Sequence, residues 1–409
     1  MTMRTHSKFG RSRRCRVTLQ RLASGETTRE AEMAAQPDRF ETVIVGGGQA
    51  GLATGYHLSR RGRPFVILDA GGRVGDSWRR RWDSLRLYSP AAYDGLPGMP
   101  FPARRNSYPT AQEMADYLEA YSRHFDLPVI PRTAVESLSR DGARYVLTAG
   151  ERTFEADNVV VATGTMQKPF LPSFAAELDP RIRQLHSDDY RRLSQLQEGA
   201  VLVVGASHSG SDIAYEAAAK HPTILSGVET GQIPVSIETR RGRLGFRALF
   251  FVGSHILTAD TPMGRKARAH MRHGGAPLLR YRRKDLRAAG VERVLARTAG
   301  VRDGLPLLDD GRVLDVQNVV WCTGFRPDYS WIKVPLTVGE DGFPVQYRGA
   351  VDSAPGLYFV GMLFLHSFAS MLIAGSVRDA ERVATQIATR RSEAQLTGST
   401  TPALERAAS

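Results

Sequence analysis

Near-continuous apolar runs of four residues punctuate this chain, and two of the clearest flank a helical pattern. Thr42–Val45 and Phe65–Leu68 stand either side of Gln49–Arg61, where apolar and small residues recur at helical spacing until Gly62. A run without alternation is what a strand covered on both faces requires, so the trio predicts a βαβ unit with parallel strands. The same grammar returns with Val201–Val204 as strand, Ser209–Lys220 as helix and Pro222 as stop. Between the two, Pro97–Tyr108 reads as a proline-rich loop and Thr110–Phe125 as an amphipathic helix. Residues 143–161 read as a β-hairpin or meander. Near the C-terminus Gly356–Gly361 reads as a strand meeting a glycine, then an amphipathic helix over Ile373–Thr389.

The turns between strand and helix carry the chemistry. The first is Gly46-Gly47-Gly48-Gln49-Ala50-Gly51. In such a turn Gly46 permits the tight bend, Gly48 lets the backbone approach a pyrophosphate, and Gly51 allows close helix–strand packing. The helix N-terminus offers unpaired N–H groups and a positive dipole end to the phosphates. Asp69, closing the next strand, is placed to accept hydrogen bonds from an adenosine ribose. The second turn, Gly205-Ala206-Ser207-His208-Ser209-Gly210, keeps the outer glycines and puts small Ser207 in the middle. Counting from Gly205 as Asp69 is counted from Gly46 reaches Val228, which is neither an acid for an NAD ribose nor an arginine for a 2′-phosphate. The missing acid favours NADPH, with Lys220, Arg240 or Arg241 as phosphate partners and Glu229 as the counter-signal. One such turn is a weak signal. Two, each in strand–turn–helix context, predict a protein that holds two dinucleotides and moves electrons between them.

An internal echo organises the rest. Asn158-Val159-Val160-Val161-Ala162-Thr163-Gly164 returns as Asn318-Val319-Val320-Trp321-Cys322-Thr323-Gly324. The second turn lies between them, which predicts matching strands at two crossings and an inserted unit. The fold class expected is α/β, with two Rossmann-like three-layer dinucleotide-binding domains. The first is discontinuous, over residues 40–165 and 313–390, and the NAD(P) domain occupies 166–312. Residues 1–39 are expected as a disordered basic tail, with a targeting peptide or an over-extended reading frame whose real start is Met33 as the alternatives, and 391–409 as a disordered tail.

Composition narrows the partners. The formal charge of +13 invites nucleic acid, yet no recognition helix or aromatic–basic interleaving accompanies it. Residues 1–32 hold eight basic groups against three acidic ones, and a basic run follows over 240–287. Such runs are usually solvated faces, and a basic surface attracts anionic nucleotides. Within it Phe246–Leu257 is apolar; a packed helix is the default, with a greasy substrate mouth or a weak membrane-surface contact as alternatives. No apolar stretch is long enough to span a bilayer. The two cysteines, Cys15 and Cys322, form no local redox or metal motif, and no metal-ligand cluster is present; a reducing, cytoplasmic setting fits.

Gly71–Trp78 and Trp82–Pro90 place Trp78, Trp82 and Tyr88 directly after the ribose-binding strand, where they can wall a flat isoalloxazine ring. With the two turns, the Ala162-Thr163-Gly164 and Cys322-Thr323-Gly324-Phe325 returns and Tyr358–Gly361, these segments resemble the flavin-containing monooxygenase superfamily over residues 40–390. They are most similar to bacterial single-component members labelled cation-transport-associated flavoproteins. The resemblance implies FAD contacts at Gly46, Gly47, Gly48, Gln49, Ala50, Gly51, Asp69, Ser77, Trp78, Tyr88, Ser89, Thr163, Gly164 and Gly361. It implies NADP contacts at Gly205, Ser207, His208, Ser209 and Gly210. Of the family's Phe-x-Gly-x3-His-x3-Tyr/Phe fingerprint, His186 and Tyr190 are present as candidate catalytic residues, while Pro180 and Ile182 replace the Phe and Gly. His186 reads equally as an interfacial histidine satisfied by a neighbour. The function implied is an NADPH-using monooxygenase that inserts one oxygen atom from O2 into a lipophilic small molecule through a flavin hydroperoxide. The alternatives are a reductase passing electrons to a quinone or protein, and a redox-sensing flavoprotein linked to cation transport.

Overall fold

The computed structural model describes residues 37–398 except 229, 234, 236, 238 and 274–276. The fold is mixed α/β, built on two sheets whose central strands are parallel. The first sheet contains β1 (Asp38–Val45), β2 (Phe65–Leu68), β3 (Val129–Ile130), β4 (Ser137–Asp141), β5 (Arg144–Ala149) and β6 (Arg152–Val161), ordered β3-β2-β1-β6-β5-β4. After β7 (Lys168–Pro169), the second sheet contains β8 (Arg183–His186), β9 (Val201–Val204), β10 (Thr223–Ser226) and β11 (Glu292–Val294). Past the ribbon of β12 (Thr298–Arg302) and β13 (Leu305–Leu308), β14 (Asn318–Trp321) completes it in the order β11-β10-β9-β14-β8. β15 (Phe325–Arg326) pairs antiparallel with β7, and β16 (Leu357–Phe359) rejoins the first sheet beside β6.

The apolar strands fold as their patterning requires, since alternate residues serve opposite faces. Ile44, Ile67, Val160 and Tyr358 enter one core; Val43, Val45, Val66, Leu68, Val159, Val161 and Phe359 enter another. The second sheet repeats this, with Val201, Val203 and Val320 on one face and Leu202, Val204 and Trp321 on the other. The helices are α1 (Gln49–Arg60), α2 (Asp76–Arg79), α3 (Ala111–His124), α4 (His208–Ala217), α5 (Arg240–His255), α6 (Pro262–His273), α7 (Arg283–Ala288) and α8 (Ile373–Gly398). At the start of α3 Thr110 accepts from the Glu113 N–H, and the Glu113 carboxylate accepts from the Thr110 N–H. α8 packs against α1.

Three boundaries differ from expectation. β14 pairs with β9 and β8, so the chain returns to the first sheet after Gly324 and not at residue 313. The echo lies at the crossings because each copy is the strand beside a turn-bearing strand: β6 beside β1, and β14 beside β9. α8 continues to Gly398 because no proline or glycine interrupts Arg390–Thr397, so the expected tail at 391 starts as helix. The tail expected over residues 1–39 lies outside the described residues except for its end, where β1 begins at Asp38.

Candidate dinucleotide sites and the seam between them

Each turn is closed by the same contacts. Gly46 has φ +111°, and a Cβ there would stand 2.6 Å from the Ala162 carbonyl oxygen. Gly205 has φ +106°, and its Cβ would stand 2.3 Å from the Cys322 carbonyl oxygen. A Cβ on Gly51 would be 1.9 Å from the Gly46 oxygen, and one on Gly210 1.7 Å from the Gly205 oxygen. Helix, turn and neighbouring strand therefore meet backbone to backbone, which only glycine permits. Gly48 is the exception in the first turn: a Cβ there meets nothing within 4 Å, so its space opens outward. Gly361, at φ +68°, rests on Ala50, with 2.8 Å between a Cβ placed there and the alanine methyl.

The acid at the first strand end has a structural hold as well as an open edge. Asp69 accepts from the Gly47 N–H at 2.5 Å and the Gly71 N–H at 2.7 Å, tying two glycine loops to one half-buried carboxylate. The indole N–H of Trp78 points at Gln49 Oε1 at 3.4 Å, while Ser77 is exposed. Ser89 donates to Asp94, whose carboxyl burial pushes up to about 7. Gln167 donates to Thr163 Oγ1 and the Gly164 carbonyl, and accepts from the Asp328 N–H, clipping one crossing to the other.

At the second strand end the register corrects the count from sequence. Val45 stands opposite Leu68, and Val204 opposite Ser226, so the equivalent of Asp69 is Gly227 and not Val228. No acid stands there, and Glu229 lies outside the described residues. Arg293 donates to the carbonyls of Leu225 and Gly227. A cavity of about 360 Å³ opens between Ala206 of the turn and Arg283, Arg287 and Arg293; Lys220 and Arg241 do not line it.

A buried polar network joins the two sides. Tyr88 donates to Asp212 Oδ2 at 2.8 Å, and Arg280 reaches the same oxygen at 3.2 Å. Arg280 also donates to the carbonyls of Arg86 and Leu87, and its guanidinium lies 5.0 Å from the Tyr88 ring. That ring packs on His208 at 4.6 Å, and the Nε2 of His208 meets the Pro277 carbonyl at 2.7 Å. Burial raises Asp212 to about 6 against the pull of Arg280, and burial lowers His208, leaving a neutral imidazole that donates from Nε2. A buried charge is tolerable only when paired and hydrogen-bonded, and each partner here is. Trp82 does not wall the first turn; it lies in the second sheet's core with Tyr190 and Val203.

Comparison with known proteins bears on this geometry. Residues 43–232 match the family model for pyridine nucleotide-disulphide oxidoreductases. An oxidoreductase named CzcO-like from Geobacillus kaustophilus is 37% identical, covering 83% of this chain and 96% of that protein. The chain belongs to the CzcO-like oxidoreductases, within the flavin-containing monooxygenase superfamily. A probable indole-3-pyruvate monooxygenase of Arabidopsis thaliana, YUCCA3, is 29% identical over 86% of this chain and 87% of its own. A flavin-containing monooxygenase structure from Stenotrophomonas maltophilia aligns with TM-score 0.70 and 28% identity, covering 87% of this chain and all but 1% of its own. The chain is thus an oxidoreductase of the flavin-dependent monooxygenase class, and FAD and NADPH are its cofactors.

Neither fingerprint residue of this CzcO-like oxidoreductase has an atom to spare. His186 ends β8; its Nε2 meets the Gly324 carbonyl at 3.1 Å and its Nδ1 accepts from the Asp188 N–H at 3.1 Å. Burial lowers its pKa, and its ring sits edge-on to Phe325 at 5.2 Å. Tyr190 is fully buried and donates to Glu216 of α4, the acid that Ser84 also reaches. Arg81 pairs with Asp188 at 2.7 Å, so the loop after His186 is tied to the segment that carries Tyr88.

Asp212, Arg280 and Gln167 escape sequence reading. Asp212 sits among buried Gly210, Ser211, Ile213 and Ala214, and an acid on that apolar stretch was the available signal. Arg280 is hidden among thirteen basic residues over 240–287, and nothing distinguishes it there.

Proposed function

We propose that this chain is an FAD-dependent, NADPH-using monooxygenase that inserts one oxygen atom of O2 into a lipophilic small molecule. In this reading the first sheet and its helices bind FAD, and the second, inserted between β6 and β16, binds NADPH. Each is a three-layer Rossmann-like unit, and the enzyme works in the cytoplasm. The observation that carries the reading is the pair of turns with equivalent closing contacts, joined by the Tyr88–Asp212–Arg280 network.

The residues fit both groups. The open space at Gly48 admits a pyrophosphate against the backbone, and Asp69 retains lone pairs for ribose hydroxyls. Gln49, Ala50, Ser77, Trp78, Tyr88, Ser89, Thr163, Gly164 and Gly361 would border the flavin. Ser207, His208 and Ser209 open α4 and would face the NADPH pyrophosphate. Arg283 and Arg287 give the adjoining cavity the charge a 2′-phosphate needs. Bound FAD supplies electron transfer and oxygen activation, while the protein supplies orientation and a dry site. His186 and Tyr190 act as positioning residues: one fixes the crossing at Gly324, the other fixes α4 through Glu216.

A dithiol route to a disulfide acceptor is disfavoured, because half-buried Cys322 is the only cysteine among the described residues and desolvation pushes its thiol up. Rapid mixing of NADPH-reduced protein with oxygen tests the proposal. A transient flavin spectrum, distinct from both oxidised and reduced forms, is expected. Direct return to the oxidised spectrum, with product independent of organic substrate, would favour the reductase passing electrons to a quinone or protein.

A further inference from the structure

Helix α5 carries more apolar residues than its packing uses. Its inner face contains Gly242, Phe246, Phe250 and Gly253 at helical spacing, and the Tyr93 ring lies 5.2 Å from Phe246 and 5.0 Å from Phe250. A Cβ at Gly253 would stand 2.7 Å from the Phe368 ring, so the helix is seated closely on that side. The outer face is mixed, where the solvated side of a helix would be polar throughout. Leu244 and Phe251, two turns apart, are 70% and 58% exposed. At the corner between α5 and α6, Ile256 and Met263 are 40% and 56% exposed. Exposed Arg241, Arg247, Arg265 and Lys266 interleave with them. Residues 240–287 hold thirteen basic groups and only two acids, Asp260 and Asp285, which already pair with Arg348 and Arg282.

We propose that the outer face of α5 and the α5–α6 corner dock on an anionic lipid bilayer. Exposed leucine and phenylalanine ringed by arginine and lysine is the chemistry of a helix lying in a membrane interface. Its apolar side chains enter the headgroup boundary while its cations meet lipid phosphates. A second copy of the chain is the rival occupant for the apolar residues. The charge decides against it, because two faces this basic repel each other when apposed. The contact is peripheral, since no helix among the described residues is long and apolar enough to cross a membrane.

Vesicle co-sedimentation of the full chain tests this, with neutral phosphatidylcholine against phosphatidylcholine mixed with phosphatidylglycerol, at low and high salt. Binding to the anionic vesicles alone, weakened by salt, is expected. R247Q and K266Q should each weaken it by about five-fold. The double variant L244E/F251E should weaken it more than about ten-fold and leave NADPH oxidation in buffer unchanged. Equal binding to neutral vesicles, or none to anionic ones, overturns the proposal. So does undiminished binding by L244E/F251E, which would assign the affinity to the basic residues before Asp38. A dimer in sedimentation velocity that L244E/F251E dissolves, without vesicle binding, would hand the surface to a second copy.

Discussion

The two glycine turns are alike where they close and unlike where they read. In both, the first glycine abuts a carbonyl of the neighbouring strand and the last abuts the carbonyl of the first. At the strand ends the likeness stops: Asp69 gathers the N–H groups of Gly47 and Gly71, while its counterpart is Gly227. There the charge comes from other elements, from Arg283 and Arg287 of α7 and from Arg293 of β11. Closing a strand–turn–helix is a steric problem with one solution, so it repeats. Reading a ligand is an electrostatic problem, and an acid from the strand or arginines from another element can solve it.

The steepest test of that division lies in the closing glycines. Gly51→Val and Gly210→Val each force a side chain into a backbone oxygen less than 2 Å away. Gly51→Val should give little soluble, flavin-free protein. Gly210→Val should keep the yellow colour but lose NADPH-driven flavin reduction by at least about 100-fold. Reduction of Gly210→Val by NADPH at the wild-type rate would mean the second turn does not hold the nicotinamide nucleotide. Gly48→Leu separates closing from reading within one turn. No atom opposes its Cβ, so the protein should fold and elute colourless, with a thermal midpoint close to that of wild-type apoprotein. Retained flavin would show that the pyrophosphate does not pass there.

How much of this was legible follows from the same division. Strands covered on both faces must be apolar throughout, so Val43, Ile44, Val201 and Leu202 announced themselves, and sterically forced glycines did likewise. Asp69 was legible because the acid comes from the strand itself. The arginines proposed for the second site were not, because α7 lines the cavity beside that strand end only in three dimensions. The count to Val228 missed by one because α4 is two residues shorter than α1 while the link to its next strand, residues 218–222, is one longer than residues 61–64, which sequence spacing alone does not reveal. Trp82 misled in the opposite way. Its position after the ribose strand pointed to the flavin, yet its segment crosses the seam and its indole fills the other sheet's core.

The arginine reading carries a smaller expected effect. Arg287→Ala and Arg283→Ala should each raise KM for NADPH by about ten-fold, the scale of a charged hydrogen bond, while leaving KM for NADH within about two-fold. The NADPH-to-NADH ratio is the measurement that sharpens the comparison. An equal rise for both coenzymes would place these side chains on the shared pyrophosphate, and no rise would return attention to the strand end.

His186→Ala should have the smallest effect, and its character matters more than its size. The ring joins β8 to the Gly324 crossing, so its loss should loosen the second unit relative to the first without touching either turn. Oxygen chemistry is the step most sensitive to that looseness, because it requires nucleotide to stay in place and water to stay out. The fraction of NADPH oxidised with peroxide release should rise about two- to five-fold, while flavin reduction changes by less than about two-fold. Because burial lowers the His186 pKa below 6.5, the imidazole is neutral at pH 7 and coupling should be flat above that pH. The depressed value also fixes the sign of its effect on stability. The unfolded chain takes up the proton first as pH falls through 6.5, so the histidine's contribution, present above that pH, is lost on acidification toward the lower folded value. His186→Asn should therefore show a shallower fall in thermal midpoint between pH 7 and pH 5 than wild type. A variant with unchanged coupling and an unchanged pH slope would make His186 an ordinary packed residue and leave Gln167 and Arg326 to hold the crossing.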